Sequence, residues 1–169
     1  CACGTGYGSS LLHTECNARE VLGVDSELRA VDYARHYFGS PEVEFEVLDA
    51  AAVRELGRRF DAVVSIETIE HVPDDRAVLQ SFTNMLTDSG LCVISTPDDC
   101  PADASPHHVR SYDRRTFRST LEEYFGEVKL FAQWSTDRRE TAGIEPVTAR
   151  TPDPAECLIA VCRRPRTSN

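Results

Sequence analysis

A doubly wound α/β domain, with a mostly parallel sheet and a C-terminal antiparallel hairpin, is the fold class this sequence predicts. Three observations lead there. Short runs rich in Val and Ile alternate with amphipathic stretches of helix length up to about Tyr124, carboxylates stand where several of those runs end, and the last two apolar runs follow one another with no helical pattern between them. Strand and helix in alternation require parallel strands, right-handed crossovers and helices on both faces, with ligands beyond the carboxyl ends of the strands. Two strands joined without a helix are free to pair antiparallel.

The elements follow in order. Gly4 to Gly8 form a turn, and Ser9 or Ser10 caps a helix through about Asn17 that carries Leu11, Leu12 and Cys16 on helical spacing. Glu20 to Val24 reads as a short buried strand ending at Asp25. Ser26 then caps a helix with Leu28, Val31, Tyr33, Ala34 and Tyr37, which Gly39 and Pro41 stop. Val43 to Leu48 alternates apolar and acidic residues as a strand does, ends at Asp49, and leads to a short helical run around Val53 and Leu56. Phe60 to Ile66 is the next strand, a helix covers about Asp74 to Leu86, and Leu91 to Ser95 is a strand closed by Pro97. After a loop from about Pro97 to Ser111, a helix from about Arg114 to Tyr124 precedes the final strands, Val128 to Trp134 and Glu156 to Cys162. The polar connection from Ser135 to Asp153, with Gly143, Pro146 and Pro152, reads as a lid or mobile excursion. The glycine-rich turn begins only three residues after Cys1, so the first strand of the sheet is expected to be missing from the start of residues 1–169.

The 169 residues, 41% of them hydrophobic, suffice for one domain with its own core. No run approaches the roughly 18 apolar residues of a membrane span, and no basic segment precedes an apolar one at the start, so a soluble, cytoplasmic protein is expected. A net charge of -10 repels polyanions and argues against nucleic acid, favouring a small-molecule partner. The arginine clusters at Arg114 and Arg115, Arg138 and Arg139, and Arg163, Arg164 and Arg166 read as solvated surface. Seven cysteines without a C-x-x-C pair read as reduced thiols, three of them (Cys92, Cys157 and Cys162) inside apolar runs. An edge strand near the C-terminus is open to a partner or to solvent, which leaves the oligomeric state undecided.

In C-G-T-G-Y-G-S, Gly4, Gly6 and Gly8 let the backbone turn tightly and approach a ligand, while the following helix offers free N–H groups. The phosphate-binding fingerprint G-x-G-x-x-G fits imperfectly, because position 9 is Ser. Asp25, twenty-one residues after Gly4, stands where a carboxylate accepts hydrogen bonds from both hydroxyls of a ribose. Asp49 repeats the arrangement one strand later, as an acceptor for an adenine amino group. Glu67, Glu70 and His71 share one face of a helical turn and make a plausible ligand set for Mg²⁺ or Mn²⁺. Without a metal, His71, His107 or His108 is a candidate general base, since an unperturbed imidazole titrates near pH ~6.5. Tyr112 and Trp134 are candidate pocket walls, with core packing the plainer role for Trp134, and Tyr7 is placed to cover a ligand at the loop.

In their order, C-G-T-G-Y-G-S, V-D, L-D-A, F-D-A-V-V-S-I-E-T-I-E-H-V and S-G-L-C-V-I-S-T-P-D resemble the class I S-adenosylmethionine-dependent methyltransferases, over nearly the whole chain. The resemblance implies a Rossmann-like sheet of seven strands and a glycine loop that binds no phosphate. It also implies that Cys3, Gly4, Thr5, Gly6, Tyr7 and Gly8 face the methionine part of S-adenosylmethionine, Asp25 with Ser26 the ribose, and Asp49 with Ala50 the adenine. Ile66 and Glu67 would line the methyl side. The family's usual acidic residue before the glycine loop would precede Cys1. The E-x-x-E-H segment resembles ubiquinone-pathway and small-RNA O-methyltransferases, which implies a divalent metal held by Glu67, Glu70 and His71, with His108 completing the set. The expected reaction is in-line methyl transfer to an oxygen of a small molecule, with His71 and His108 as catalytic candidates. A cofactor-binding module without turnover and a nicotinamide-dependent oxidoreductase are the rivals. The second lacks a Tyr-x-x-x-Lys pair, since Lys129 is the only lysine and no Tyr stands four before it.

Overall fold

The structure, a computed structural model, describes residues 1–100, 105–135, 143–152 and 154–166. It comprises two compact units, Cys1–Leu56 and Gly57–Asn169.

In the first unit, helix α1 (Tyr7–Thr14) precedes strand β1 (Val21–Asp25), helix α2 (Leu28–Phe38), strand β2 (Val43–Val47) and a 3₁₀ helix, Ala50–Leu56. The two strands pair in parallel, from Val21 opposite Val43 to Asp25 opposite Val47. The alternation read in Val43–Val47 is present, with Val43 and Phe45 buried and Glu44 and Glu46 exposed. Val31, Ala34, Val43 and Phe45 form the core, flanked by Cys3, Val21 and Phe38. Burying a side chain such as Phe45 contributes about 1.5–3 kcal/mol, and this ring requires room. A Cβ on Gly23 would stand 2.6 Å from Phe45 Cδ1, and one on Gly6 2.8 Å from its Cζ.

Both serine caps expected in this unit are replaced. Helix α1 starts at Tyr7, after Gly6 in the left-handed region (φ 88°), and has no side-chain cap. The glycine turn delivers the chain into the helix early, so Ser9 and Ser10 lie within the helix and Ser9 is buried. At α2, Asp25 Oδ1 accepts from Glu27 N at 3.0 Å and turns the chain past Ser26. The cap is therefore Glu27, whose carboxylate accepts from Arg29 N at 3.1 Å, and Ser26 stays exposed outside the helix.

The second unit contains β3 (Phe60–Ser65), α3 (Asp75–Met85), β4 (Leu86–Pro97), α4 (Arg114–Tyr124), β5 (Phe125–Trp134), β6 (Gly143–Pro146) and β7 (Cys157–Pro165). The strands form one sheet in the order β3-β4-β7-β5-β6. β3 and β4 are parallel, and the remaining neighbours are antiparallel. The expected C-terminal pairing is present in β5 and β7, and β7 also pairs with β4, placing Cys92 directly opposite Cys162. Within the connection expected to be a lid or mobile excursion, Gly143–Pro146 form a strand. Residues 143–146 pair with β5 from Trp134 opposite Gly143 to Phe131 opposite Pro146, because a strand's exposed edge recruits backbone whatever side chains that backbone carries. Residues 136–142 of that excursion, with Arg138 and Arg139, and residue 153 lie outside the described residues.

Side-chain caps start both helices of this unit: Asp74 Oδ1 accepts from Ala77 N at 2.9 Å, and Asp113 forms a reciprocal capping box with Thr116. Phe82, Phe117, Phe125, Leu79, Leu86, Ile94, Leu121 and Leu158 are fully buried. Trp134 packs with Ala132 and Ala155, the core role read for it. Tyr112, the other candidate wall, is buried too, and its hydroxyl donates to Asp75 Oδ2 at 2.5 Å. Among the described residues no helix is long and apolar enough to cross a membrane.

Candidate functional site

Two constellations carry the residues singled out in the sequence, one in each unit.

In the first unit, the segment before the glycine loop runs beside the end of β1, with Cys3 N donating to Val24 O at 2.9 Å. Gly4 N then donates to Asp25 Oδ2 at 2.8 Å, so Asp25 braces the loop. Its Oδ1 accepts from Glu27 N. A carboxylate offers about four acceptor positions, so both oxygens keep one for a ligand's hydroxyl groups. Gly6 is demanded twice, by its φ of 88° and by Ala34 Cβ, which would stand 2.6 Å from an added Cβ. Gly8 meets nothing within 4 Å, which leaves backbone open for close approach. Burial, and then the Asp25 charge, pushes the Cys3 thiol up, so it stays protonated beside the loop.

Asp49 is exposed just beyond β2, and its Oδ1 accepts from Ala51 N at 2.8 Å to start the 3₁₀ helix through Ala50. Leu48 N donates to Asp25 O at 2.9 Å, which ties the Asp49 segment to the end of β1. Thr5 is exposed. Tyr7 is exposed as well, its ring edge-on to Phe38 at 6.3 Å between centroids. The structure thus brings the loop, Asp25 and the Asp49 segment to the same end of the β1–β2 pair.

In the second unit the chain leaves β3 through exposed Ile66 and through Glu67, a non-glycine residue at φ 49°. Ser95 holds that conformation from β4. Glu67 N donates to Ser95 Oγ at 2.9 Å, and Ser95 Oγ donates to Glu67 Oε1 at 2.8 Å. Cys157 Sγ also donates to Glu67 Oε1, at 3.2 Å, and burial followed by the Glu67 charge pushes that thiol up to about 12.

Glu70, His71 and His108 present ligand atoms that all lie within 4.8 Å of one another. Three of the four proposed metal ligands are therefore brought together. Glu67, the fourth, has its carboxylate on Ser95 and Cys157 and is not one of that group. Glu70 is buried. Thr96 Oγ1 donates to its Oε2 at 3.2 Å, while its Oε1 has no hydrogen-bond partner among the described residues. Burial holds its carboxyl above the usual carboxylate range, and the Glu67 charge adds to the rise.

His71 Nδ1 lies 3.0 Å from His107 O. A carbonyl only accepts, so Nδ1 carries the proton, and in neutral imidazole Nε2 bears a lone pair. That Nε2 faces Glu70 Oε1 at 3.6 Å, and the rings of His71 and His108 stand 4.8 Å apart. Two acceptors facing each other repel unless a proton or a cation lies with them.

Sequence reading missed Ser95, Thr96 and Cys157 as partners of the acidic residues, and the pairing of Arg110 with Asp75 and with the carbonyls of Ile69 and Pro73. The hydroxyls of S-T-P at a strand end were the available signal for the first two. The others lie far from their partners in sequence and leave no local pattern.

Residues 1–90, just over half of the chain, match the family model described as a methyltransferase domain. The chain is 32% identical over 127 residues to a probable S-adenosylmethionine-dependent methyltransferase of Mycobacterium tuberculosis, covering 70% of this chain and 44% of the relative. It is 34% identical over 96 residues to the ubiquinone biosynthesis O-methyltransferase of Sinorhizobium fredii, covering 54% of this chain and 38% of the relative. The chain thus spans less than half the length of these curated relatives. Among solved structures, the N-methyltransferase NodS of Bradyrhizobium japonicum in complex with S-adenosyl-L-homocysteine superposes with a TM-score of 0.68 at 18% identity, covering 98% of this chain and 76% of that one. The chain therefore belongs to the methyltransferase domain family, the class I S-adenosylmethionine-dependent methyltransferases, and shares their Rossmann-like fold.

Proposed function

We propose that the protein transfers a methyl group from S-adenosylmethionine to an oxygen of a small molecule, with the Glu70, His71 and His108 cluster handling the acceptor's proton. The observation that carries this reading is the buried Glu70 Oε1, without a hydrogen-bond partner among the described residues and 3.6 Å from His71 Nε2. A hydroxyl entering beside them gives its proton to an unprotonated Nε2 as its oxygen takes the methyl group, and a base so placed serves oxygen methylation.

S-Adenosylmethionine fits the first unit: the loop from Cys3 to Gly8 is open at Gly8, and Asp25 retains acceptor positions for ribose hydroxyls. Ser26, Asp49 and Ala50, and Ile66 and Glu67 in the second unit, are assigned to the cofactor on the family resemblance. When bound, the cofactor supplies an electrophilic sulfonium methyl group. A divalent cation such as Mg²⁺ or Mn²⁺ fits the same orphaned carboxylate oxygen, with Glu70, His71 and His108 holding it and Glu67 a further carboxylate in the same turn. Such an ion would lower the pKa of an acceptor hydroxyl.

This reading places the protein in the cytoplasm, where its seven cysteines stay reduced. The charge of -10 favours a small acceptor over nucleic acid.

Calorimetric titration of S-adenosylhomocysteine into the intact protein, with Mg²⁺ or with chelator, tests the cofactor assignment, and methyl transfer to phenolic and amine acceptors tests the chemistry. Heat of binding with turnover on phenols is the expected result. Turnover on amines alone would replace the oxygen acceptor, and binding without turnover on any acceptor would favour a binding module. A folded protein that binds no S-adenosylhomocysteine would overturn the proposal.

A further inference from the structure

The cluster of Glu70, His71 and His108 is assembled from two stretches separated in sequence by all of α3 and β4. Glu70 and His71 lie in the turn after β3, and His108 lies in the segment before α4. The ring contact between His71 and His108 therefore depends on whatever fixes residues 105–112 against residues 66–75.

Two bonds made by the stretches themselves contribute: Val109 N donates to Glu70 O at 2.9 Å, and His71 Nδ1 donates to His107 O at 3.0 Å. Three further contacts run through one side chain. Arg110 NH2 donates to Pro73 O at 2.8 Å, and its NH1 lies 3.4 Å from Ile69 O and 3.1 Å from Asp75 Oδ2. Ile69 and Pro73 stand on either side of Glu70 and His71, so the guanidinium spans the turn that carries both. Asp75 also accepts from the Tyr112 hydroxyl at 2.5 Å, which anchors the segment a second time, two residues beyond Arg110. The Arg110 side chain is 22% exposed and that of Asp75 21%, so the pair is shielded from solvent. Because Asp75 neutralises Arg110, the clamp adds no net charge beside the cluster.

We propose that Arg110 is the positioning residue of the cluster: its fork, closed on Ile69 O, Pro73 O and Asp75, sets His108 against His71 and Glu70. The inference rests on the proposed function only in giving the cluster its work on the methyl acceptor. A planar fork with several fixed donors suits this task, and a lysine ammonium on a flexible stem does not reach three acceptors in the same geometry.

The test uses the intact protein with Arg110→Met and Arg110→Lys. Its structural readout is the nuclear Overhauser effect between the ring protons of His71 and His108, which reports their contact directly. Expected in Arg110→Met are loss of that effect, unchanged affinity for S-adenosylhomocysteine, and a kcat lowered on the order of tenfold to a hundredfold with KM for S-adenosylmethionine unchanged. Arg110→Lys should recover part of both signals. If Arg110→Met does not fold, Arg110→Lys is read by the same criteria. Persistence of the ring contact together with wild-type kcat would overturn the inference. A wild-type protein that shows the contact but binds no S-adenosylhomocysteine would sink the methyltransferase reading alone, and the comparison of ring contacts would still decide Arg110.

Discussion

Asp25 does two jobs with one carboxylate, bracing the glycine loop through Gly4 N and turning the chain into α2 through Glu27 N. Hydrogen bonds to a charged group contribute about 1.5–3 kcal/mol each. Asp25→Ala is thus expected to weaken S-adenosylhomocysteine binding on the order of tenfold or more, and near-normal affinity by calorimetry would remove Asp25 from the site. Glu70 is opposite in kind, a buried carboxyl whose folded pKa is raised. Its neutral form contributes stability that is fully present below the unfolded pKa of ~4.3 and lost as pH rises through the folded value. In chelator, Glu70→Gln should keep its melting temperature over the pH range where the wild type declines, while methyl transfer falls and cofactor binding is spared. Parallel melting curves across that range would contradict this account of Glu70.

At the scale of elements, α4 offers a clean test of capping. The backbone N–H of Thr116, then its hydroxyl, holds the Asp113 carboxyl below its usual range, so its contribution is present above the unfolded pKa and lost as pH falls through the folded one. Asp113→Ala should cost about 0.5–2 kcal/mol at neutral pH, and the difference from wild type in denaturant midpoint should close in acid. The same scale shows what could be read in advance. β2 was legible because its acidic residues alternate with Val43 and Phe45, and α3 and α4 because aspartates stand before their apolar faces. The caps of α1 and α2 were not, since left-handed Gly6 and the Asp25 turn displaced the serines that propensity favours. β6 was illegible because Gly143–Pro146 is held by the backbone edge of β5. In the candidate sites, Asp25, Glu70, His71 and His108 could be named because they sit at strand ends or in a motif. Ser95, Cys157 and Arg110 could not, because what matters in each is a partner many residues away.

For the whole molecule, the two units differ in how their backbones are held. A two-stranded pair is marginal by itself, whereas five hydrogen-bonded strands with buried faces are not. Amides of β1 and β2 should therefore exchange with solvent faster than those of β4 and β7, and S-adenosylhomocysteine should slow the first set most, as followed by hydrogen-exchange mass spectrometry. Equal protection in both units without ligand would contradict that ordering.

Cys92 and Cys162, facing each other across β4 and β7, have no exposed surface. Burial raises both thiols, carrying Cys162 up to about 12. A disulfide reagent added to the native protein should find Cys16, which is exposed, at once, and should reach the facing pair only when the central sheet comes apart. The slow phase of thiol labelling is then a clock for that opening, built into the chain and readable without any engineered probe.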